Sequence, residues 1–399
     1  MARRLPGEDG PNAMSHAHSG RNSHAVGKKR GQRIGVLVGM ILALIAAAMY
    51  IGMMGQSGGD FRGDGNGNTV LAEIKPGSTL SEVGPSLVEK GVVSSNEAFQ
   101  SAAATTPKAA DIKPGFYKLQ EKMSAQSAVE AFLNPENKVD LLKVPTGATL
   151  MDSKVVGGDT RFGIYSLVSS ITCSVGDSCL SAEEIANVAA TADPVSLGVP
   201  GWALEPVQKA SGDPKRLEGL IEPGEYVVDP EASAEETLTQ LISASAESFA
   251  NTGIVDRAAA INLSPYELLT AASLVEREAP AGEFDKVARV ILNRLAKPMR
   301  LEFDSTVNYG LDEQEVATTD EDRARETPWN TYAKDGLPAT PIASPSIEAV
   351  TAMENPAPGN WLFFVTVDKD GTTVFNDTFE QHMADTQKAA ESGVLDSNR

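Results

Sequence analysis

Histidine is almost missing from this chain of 399 residues, which holds four. His16, His18 and His24 crowd the N-terminus, leaving His382 alone for the rest. That excludes most metal-hydrolase ligand sets and leaves a serine–histidine–aspartate triad open only through His382. Cysteine is as scarce. Cys173 and Cys179 are too few for a zinc site with no histidine near, though outside the cytosol a disulfide closing this short loop is permitted. Basic residues are outnumbered, 34 Lys and Arg against 54 Asp and Glu, for a net charge of −20. A surface that acidic excludes nucleic acid as a partner. Carboxylate chemistry remains, with no metal and no cofactor expected.

The charge is unevenly placed. Residues 1–33 carry a net +5 and are rich in Gly, Ser and His, so they are expected to be a disordered cytoplasmic tail, and the remainder carries −25. Residues 34–54 (IGVLVGMILALIAAAMYIGMM) hold no charge, and their 21 residues suffice for a transmembrane helix. The basic flank precedes that span, which predicts a single-pass membrane protein with its N-terminus in the cytoplasm and everything after Met54 outside. Residues 55–69 read as a flexible linker.

A weak internal repeat follows. Ile74-Lys-Pro-Gly77-Ser-Thr79-Leu80 corresponds to Val144-Pro-Thr-Gly147-Ala-Thr149-Leu150, and Gly115-Phe-Tyr117 to Gly224-Glu-Tyr226. Ser124-Ala125 likewise corresponds to Ser233-Ala234. Each copy predicts a strand, a Pro/Gly turn, a Thr-capped helix, a further strand and a closing helix. The widening offset places an insertion of about 39 residues in the second copy, within about 160–213. The expected divisions are modules at 70–138 and 139–249 and a mainly helical domain at 250–399.

In that last domain, residues 264–278 (SPYELLTAASLVERE) predict a helix capped by Ser264 and Glu267, with Pro265 at its first position. Its apolar arc holds Leu268, Leu269, Ala271, Ala272, Leu274 and Val275, which places Thr270, Ser273 and Arg277 on a wet face. Glu276 and Glu278 leave the flanks of the arc, about 160° apart, and cannot share a site side by side. Glu278 sits at the negative end of the helix, where dipole and desolvation both favour the protonated form that a general acid needs. A second amphipathic helix is expected at 283–297, a β-hairpin around Gly371 and a closing helix at 379–390.

Further runs follow in order: Val290-Ile-Leu-Asn293-Arg294-Leu, Met299-Arg-Leu-Glu302-Phe-Asp304-Ser-Thr306-Val-Asn-Tyr309-Gly310, Glu326-Thr-Pro-Trp329-Asn330-Thr-Tyr332 and Gly336-Leu-Pro-Ala-Thr-Pro341. Taken together, from Glu218 to His382, the chain resembles the YceG-like endolytic murein transglycosylases. The resemblance implies an α+β fold: LysM-like strand–helix modules behind a transmembrane helix, then a mainly helical catalytic domain with a C-terminal β-hairpin. It carries the catalytic acid onto Glu278, gives Glu276 a structural role salt-bridged to Arg294 or another cation, and sets Asp304, Thr306, Tyr309, Asn330 and Tyr332 near the cleft as substrate contacts. It implies peptidoglycan glycan strands as substrate and cell-wall synthases as partners. The implied reaction cleaves the β-1,4 bond between N-acetylmuramic acid and N-acetylglucosamine without water, leaving a 1,6-anhydro end.

Three positions depart from the family pattern: Thr340 within Pro338–Ile342, Thr373 where a histidine is usual, and Glu302 where glutamine is common. Two other readings stand beside this one. One is a lysozyme-like hydrolase with Asp304 as second carboxylate; the other is a catalytically silent glycan-binding scaffold. For the topology, a reporter fused after Arg399 is expected to be active outside the membrane. A C-terminus protected from protease added to spheroplasts would overturn that orientation.

Overall fold

The computed structural model describes residues 59–174, 179–297, 299–311, 313–314 and 318–394. The basic tail and the expected span at 34–54 lie outside them, and among the described residues no helix is long and apolar enough to cross a membrane. Internal contacts divide the chain into one unit that ends at Asp60 and another that runs from Phe61 to Arg399.

The unit from Phe61 opens with β1 (Thr69–Ile74), α1 (Leu80–Glu89), α2 (Asn96–Thr105), β2 (Gly115–Gln120) and α3 (Ala125–Leu133). β1 and β2 pair antiparallel, with α1 packed on α2 and α2 on α3. The second copy follows the same plan. β3 (Leu142–Val144) is followed by the hairpin β4 (Ser153–Val155) and β5 (Thr160–Arg161), then α4 (Ile164–Thr172), α5 (Ala182–Thr191), α6 (Leu204–Lys209), β6 (Gly224–Tyr226) and α7 (Ala234–Thr252). β3 pairs antiparallel with β6, α4 packs on α5, and α5 on α7.

The correspondence reaches single residues. Ile74 faces Gly115 across the first sheet as Val144 faces Gly224 across the second. Tyr117 donates its hydroxyl to the Lys113 carbonyl, and Tyr226 does the same to Glu222, both at 2.6 Å. Gly77 and Gly147, at φ +78° and +67°, turn the chain in the left-handed region that a β-carbon disfavours. Ser124 and Ser233 cap the closing helices.

Three expectations need correction. Each copy holds more than the one helix expected between its paired strands: α1 and α2 in the first, and α4, α5 and α6 in the second. The missed α2 (NEAFQSAAAT) buries only Phe99 among its side chains, too little for a periodic signal. The segment at 160–213 contains α4 and α5, the counterparts of α1 and α2, so the insertion is not one block filling it but is split, with part inside that segment and part before it. The added length lies in the hairpin before them and in the stretch holding α6 after them. The supposed linker at 55–69 is tied down from Gly63 onward. The Gly63 carbonyl accepts from the Ser124 amide, the Asp64 carboxylate from the Ser127 hydroxyl, and Asn66 and Asn68 both donate to Glu121.

From Ile254 helices dominate: α8 (Ile254–Ala260), α9 (Pro265–Glu278), α10 (Phe284–Ala296), α11 (Asp304–Tyr309), then β7 (Glu313–Gln314), α12 (Asp320–Ala324) and α13 (Ile347–Glu354). The expected hairpin forms between β8 (Phe363–Thr366) and β9 (Thr373–Asn376), with α14 (Phe379–Ser392) closing the chain. Among the described residues the sheets are small and, apart from the β4–β7 pair, antiparallel, and helices dominate the last part, which makes the fold α+β.

The first copy has its own core, around Phe99, Tyr117 and Phe132. The second does not: Leu150, Ile185 and Leu238 belong to the same continuous core as Leu268, Ile291 and Met353. α7 runs through the boundary expected at 249/250, and β4 pairs parallel with β7. Glu218 is the polar tie across this junction. Its fully buried carboxylate accepts from the Leu150 amide at 3.2 Å and from the Tyr309 hydroxyl at 2.8 Å.

Cys173 and Cys179 are joined in a disulfide across the turn between α4 and α5. A loop this short contributes about 2 kcal/mol on the chain-entropy model, so Cys173→Ser is expected to lower urea stability by no more than that. It should leave activity per folded molecule unchanged. Glu218 yields a second expectation. Burial raises its pKa from 4.5 to about 7, against the hydrogen bonds from Tyr309 and Leu150. The folded chain therefore holds this proton more tightly than the unfolded chain. The contribution is complete below pH 4.5 and is lost as pH rises through 7, a change of about 3 kcal/mol. Glu218→Gln should flatten the stability profile over that interval, and an unchanged slope would show that the carboxyl does not titrate there.

Candidate active site

α9 begins as its sequence dictates. The Ser264 hydroxyl accepts from the Glu267 amide at 3.2 Å, the Glu267 carboxylate accepts from the Ser264 amide at 2.7 Å, and Pro265 takes the first turn. The wet face does not exist. Thr270 and Ser273 are buried, and the helix is packed by α8, α10, α11 and α13. Both hydroxyls return to their own helix, Thr270 to the Tyr266 carbonyl and Ser273 to that of Thr270, while Ser273 also accepts from the Ile342 amide at 3.1 Å. Small hydroxyls satisfied in this way let a polar face enter a core.

The two glutamates part as their spacing predicts. Glu276 accepts from the amide (2.9 Å) and hydroxyl (2.6 Å) of Ser346, the cap residue of α13. It does not meet Arg294, a correction to the expected salt bridge. Arg294 is buried and donates instead to the carbonyls of Leu362, Arg300 and Leu301, with Glu302 at 3.8 Å. Next to it, Asn293 donates to the carbonyls of Gly359 and Trp361. The Asn-Arg pair thus fixes two irregular stretches, one of which leads directly into α11.

Glu278 ends α9, half-buried, with one carboxylate oxygen accepting from the Ser305 amide at 3.3 Å. Burial raises its pKa, and the charge of Asp304 adds to that. Ser305 and the Arg277 guanidinium oppose it. The Ser305 hydroxyl is buried beside the same carboxyl, close enough to favour its charged form although it makes no hydrogen bond of good geometry among the described residues. Sequence reasoning passed over Ser305. Only its place directly after Asp304 in the Phe-Asp-Ser-Thr run pointed to it.

Asp304 is heavily engaged. It accepts from the Thr318 hydroxyl (2.7 Å), the Tyr332 hydroxyl (2.8 Å) and two nitrogens of Arg323 (3.2 and 3.1 Å). Arg323, also missed, stacks 5.1 Å above the Tyr332 ring. Glu278, Asp304 and Tyr332 therefore form one cluster, supported by Arg323. Three other expected contacts are part of the frame. Thr306 is fully buried in a reciprocal lock with Thr331. Tyr309 is buried on Glu218 with its ring edge-on to Trp329. Asn330 is buried, donating to the carbonyls of Arg323 and Arg325 and accepting from the Tyr332 amide. These three lack free polar groups for a sugar because the irregular chain around them consumes those groups. Thr373, at the position where histidine is usual, meets Thr366 across the hairpin at 3.2 Å.

Comparison with known proteins agrees with this framework. Residues 72–388 match the model of the YceG-like family. Over 341 residues the chain is 27% identical to the endolytic murein transglycosylase of Streptococcus pneumoniae serotype 2 (strain D39), covering 78% of this chain and 57% of that protein. It thus spans little more than half the length of that pneumococcal relative. The endolytic murein transglycosylase of Bacillus subtilis (strain 168) is 26% identical over 334 residues, covering 83% of this chain and 86% of that protein. The crystal structure of a putative yceG-like protein from Listeria monocytogenes superposes with a TM-score of 0.52 at 26% identity, covering 79% of this chain and 99% of that one. With well over half of its residues matched, this chain belongs to the YceG-like family.

Proposed function

We propose that this protein is an endolytic peptidoglycan transglycosylase, with Glu278 as its only proton-transferring group. The observation that carries this reading is the contrast between two neighbouring carboxyls. Glu278 is half-buried, held by a single backbone amide and shifted toward its protonated form. Asp304 is clamped by a guanidinium and two hydroxyls. A hydrolase of the lysozyme class needs a second carboxylate free to act as nucleophile or base. Asp304 is tied into an ion pair with Arg323 and into hydrogen bonds from Thr318 and Tyr332, so the geometry favours a reaction that runs on one acid.

Neutral Glu278 donates its proton to the glycosidic oxygen as the bond to the muramyl anomeric carbon breaks. The resulting carboxylate takes the proton from the muramyl 6-hydroxyl as that oxygen closes on the anomeric carbon. Glu278 ends protonated as it began, no water is consumed, and the product is a 1,6-anhydromuramyl end. The Ser305 hydroxyl, beside the same carboxyl, is placed to orient it. The relatives named endolytic murein transglycosylases support the substrate assignment.

The setting belongs to the same proposal. Residues 34–54 anchor the chain, with 1–33 in the cytoplasm and the catalytic part outside, where glycan strands and cell-wall synthases lie. The paired strand–helix copies act as LysM-like modules that present the catalytic part to the strand. The disulfide fits an oxidising compartment.

The test compares Glu278→Gln with Glu276→Gln. Glutamine keeps the shape of a protonated carboxyl but cannot give its proton to the leaving oxygen. Glu278→Gln should still bind strands and lose about two to four orders of magnitude in rate. Glu276→Gln weakens the cap of α13, for about 1–2 kcal/mol of stability, and should keep most of the activity. By mass spectrometry, products from uncrosslinked strands should be one water lighter than a reducing muramyl end. Hydrated ends would overturn the transglycosylase reading, and equal losses in the two variants would overturn the role given to Glu278. Because the pKa of Glu278 is raised, the rate should hold beyond the usual glutamate range and fall on the alkaline side as the acid is lost.

A further inference from the structure

A groove of about 850 Å³ opens where β3, β6 and the β4–β5 hairpin meet the end of α9. It reaches Arg277, the residue before Glu278, although Glu278 itself does not line it. Four charged residues line it: Lys143, Arg161, Glu225 and Arg277. Lys143 and Glu225 pair with each other at 3.4 Å. Neither guanidinium forms an ion pair with a carboxylate among the described residues.

Arg277 gives one N–H to the Gly147 carbonyl at 3.3 Å, which fixes it against the turn after β3. Burial lowers its pKa and the nearby charge of Arg161 lowers it further, an effect that Glu278, Glu218 and Glu276 offset in part. The groove therefore carries net positive charge in a chain whose total is −20. Two guanidiniums opening on one space, neither in direct contact with a carboxylate among the described residues, leave a place for an anion with planar, two-pronged acceptors. The rest of the wall is largely apolar. The ring of Phe162 is 65% exposed at the rim, with Leu167 deeper. A volume of this size accepts a short peptide and far exceeds one carboxylate.

We propose that this groove receives a peptide substituent of the glycan strand, Arg161 and Arg277 holding its carboxylate and Phe162 covering its apolar side chains. The inference rests on the glycan-cleaving reading and adds which form of the polymer is preferred: strands with free peptide carboxylates over strands without them. Arg277 directly precedes Glu278 in α9, so on this proposal a peptide bound here also helps to set which sugar stands over the acid.

The experiment uses the full chain carrying Glu278→Gln, so that strands bind without being cut. The probes are uncrosslinked peptide-bearing strands and the same strands with their carboxylates converted to methylamides. Free-carboxylate strands should bind about five- to tenfold tighter, the range for a charge-assisted contact at a partly exposed site. Added salt should narrow the gap. Arg161 is exposed and makes no side-chain tie to the fold, so Arg161→Gln should fold normally and close the gap, while Arg161→Lys should retain part of it. Equal binding of both probes, or a gap unchanged in Arg161→Gln, would overturn the proposal. A free peptide binding as tightly as the strand would show a peptide site independent of the glycan and would overturn it too. The two readings fail separately. Hydrated products from the unsubstituted enzyme would defeat the transglycosylase reading while the carboxylate preference stood, and anhydro products without any preference would defeat only this one.

Discussion

A helix buried on every side must answer each polar group it carries, and α9 does so one residue at a time. Thr270 and Ser273 turn back to their own carbonyls, Glu276 crosses to the cap of α13, and Arg277 reaches the turn after β3. Solvent reaches the helix at its first turn, where Glu267 is exposed, and at its last, where Glu276, Arg277 and Glu278 are half-buried. The chemistry depends on this accounting. A carboxyl with several donors around it would ionise, and one in open water would titrate normally. Glu278 has one backbone amide and a desolvated setting, which shift it toward the protonated form that the proposed chemistry requires.

Around that helix, side chains do the work that regular secondary structure does elsewhere. Arg294, Asn293 and Asn330 together bind the carbonyls of eight residues, most of them in stretches with no ladder of their own: Leu362, Arg300, Leu301, Gly359, Trp361, Asp322, Arg323 and Arg325. Backbone groups of irregular chain need partners as surely as those of a strand. The motif residues that look like ligands for a substrate are mostly ligands for the protein, and that is why Asp304, Ser305 and Tyr332 hold their positions beside Glu278.

What could be read from the sequence divides in the same way. Helix caps, hairpin and repeat depend on neighbours close in the chain, and Ser264, Glu267 and the pairing of Ile74 with Gly115 and of Val144 with Gly224 stand where local pattern puts them. The opposed exits of Glu276 and Glu278 follow from helical spacing alone. Periodicity failed where polar residues are buried, since a Thr or Ser that satisfies itself is indistinguishable in sequence from one facing water. It failed again for α2, whose alanines carry little contrast. Thr306, Tyr309 and Asn330 bond the protein's own groups, a use that the motif does not reveal, since it records that a residue is required without recording whether the requirement comes from the substrate or from the chain itself. Arg277 and Arg161 come together only in three dimensions, from the end of a helix and a hairpin over a hundred positions earlier.

The two copies of the repeat have taken different mechanical roles. The first encloses its own core, so it can open or reorient as a cooperative unit while the remainder stays folded. The second has merged its apolar side chains with those behind the acid, and it adds the sheet that β4 forms with β7 and the buried contact between Glu218 and Tyr309. A duplication that began as two like parts has thus become a domain and a subdomain.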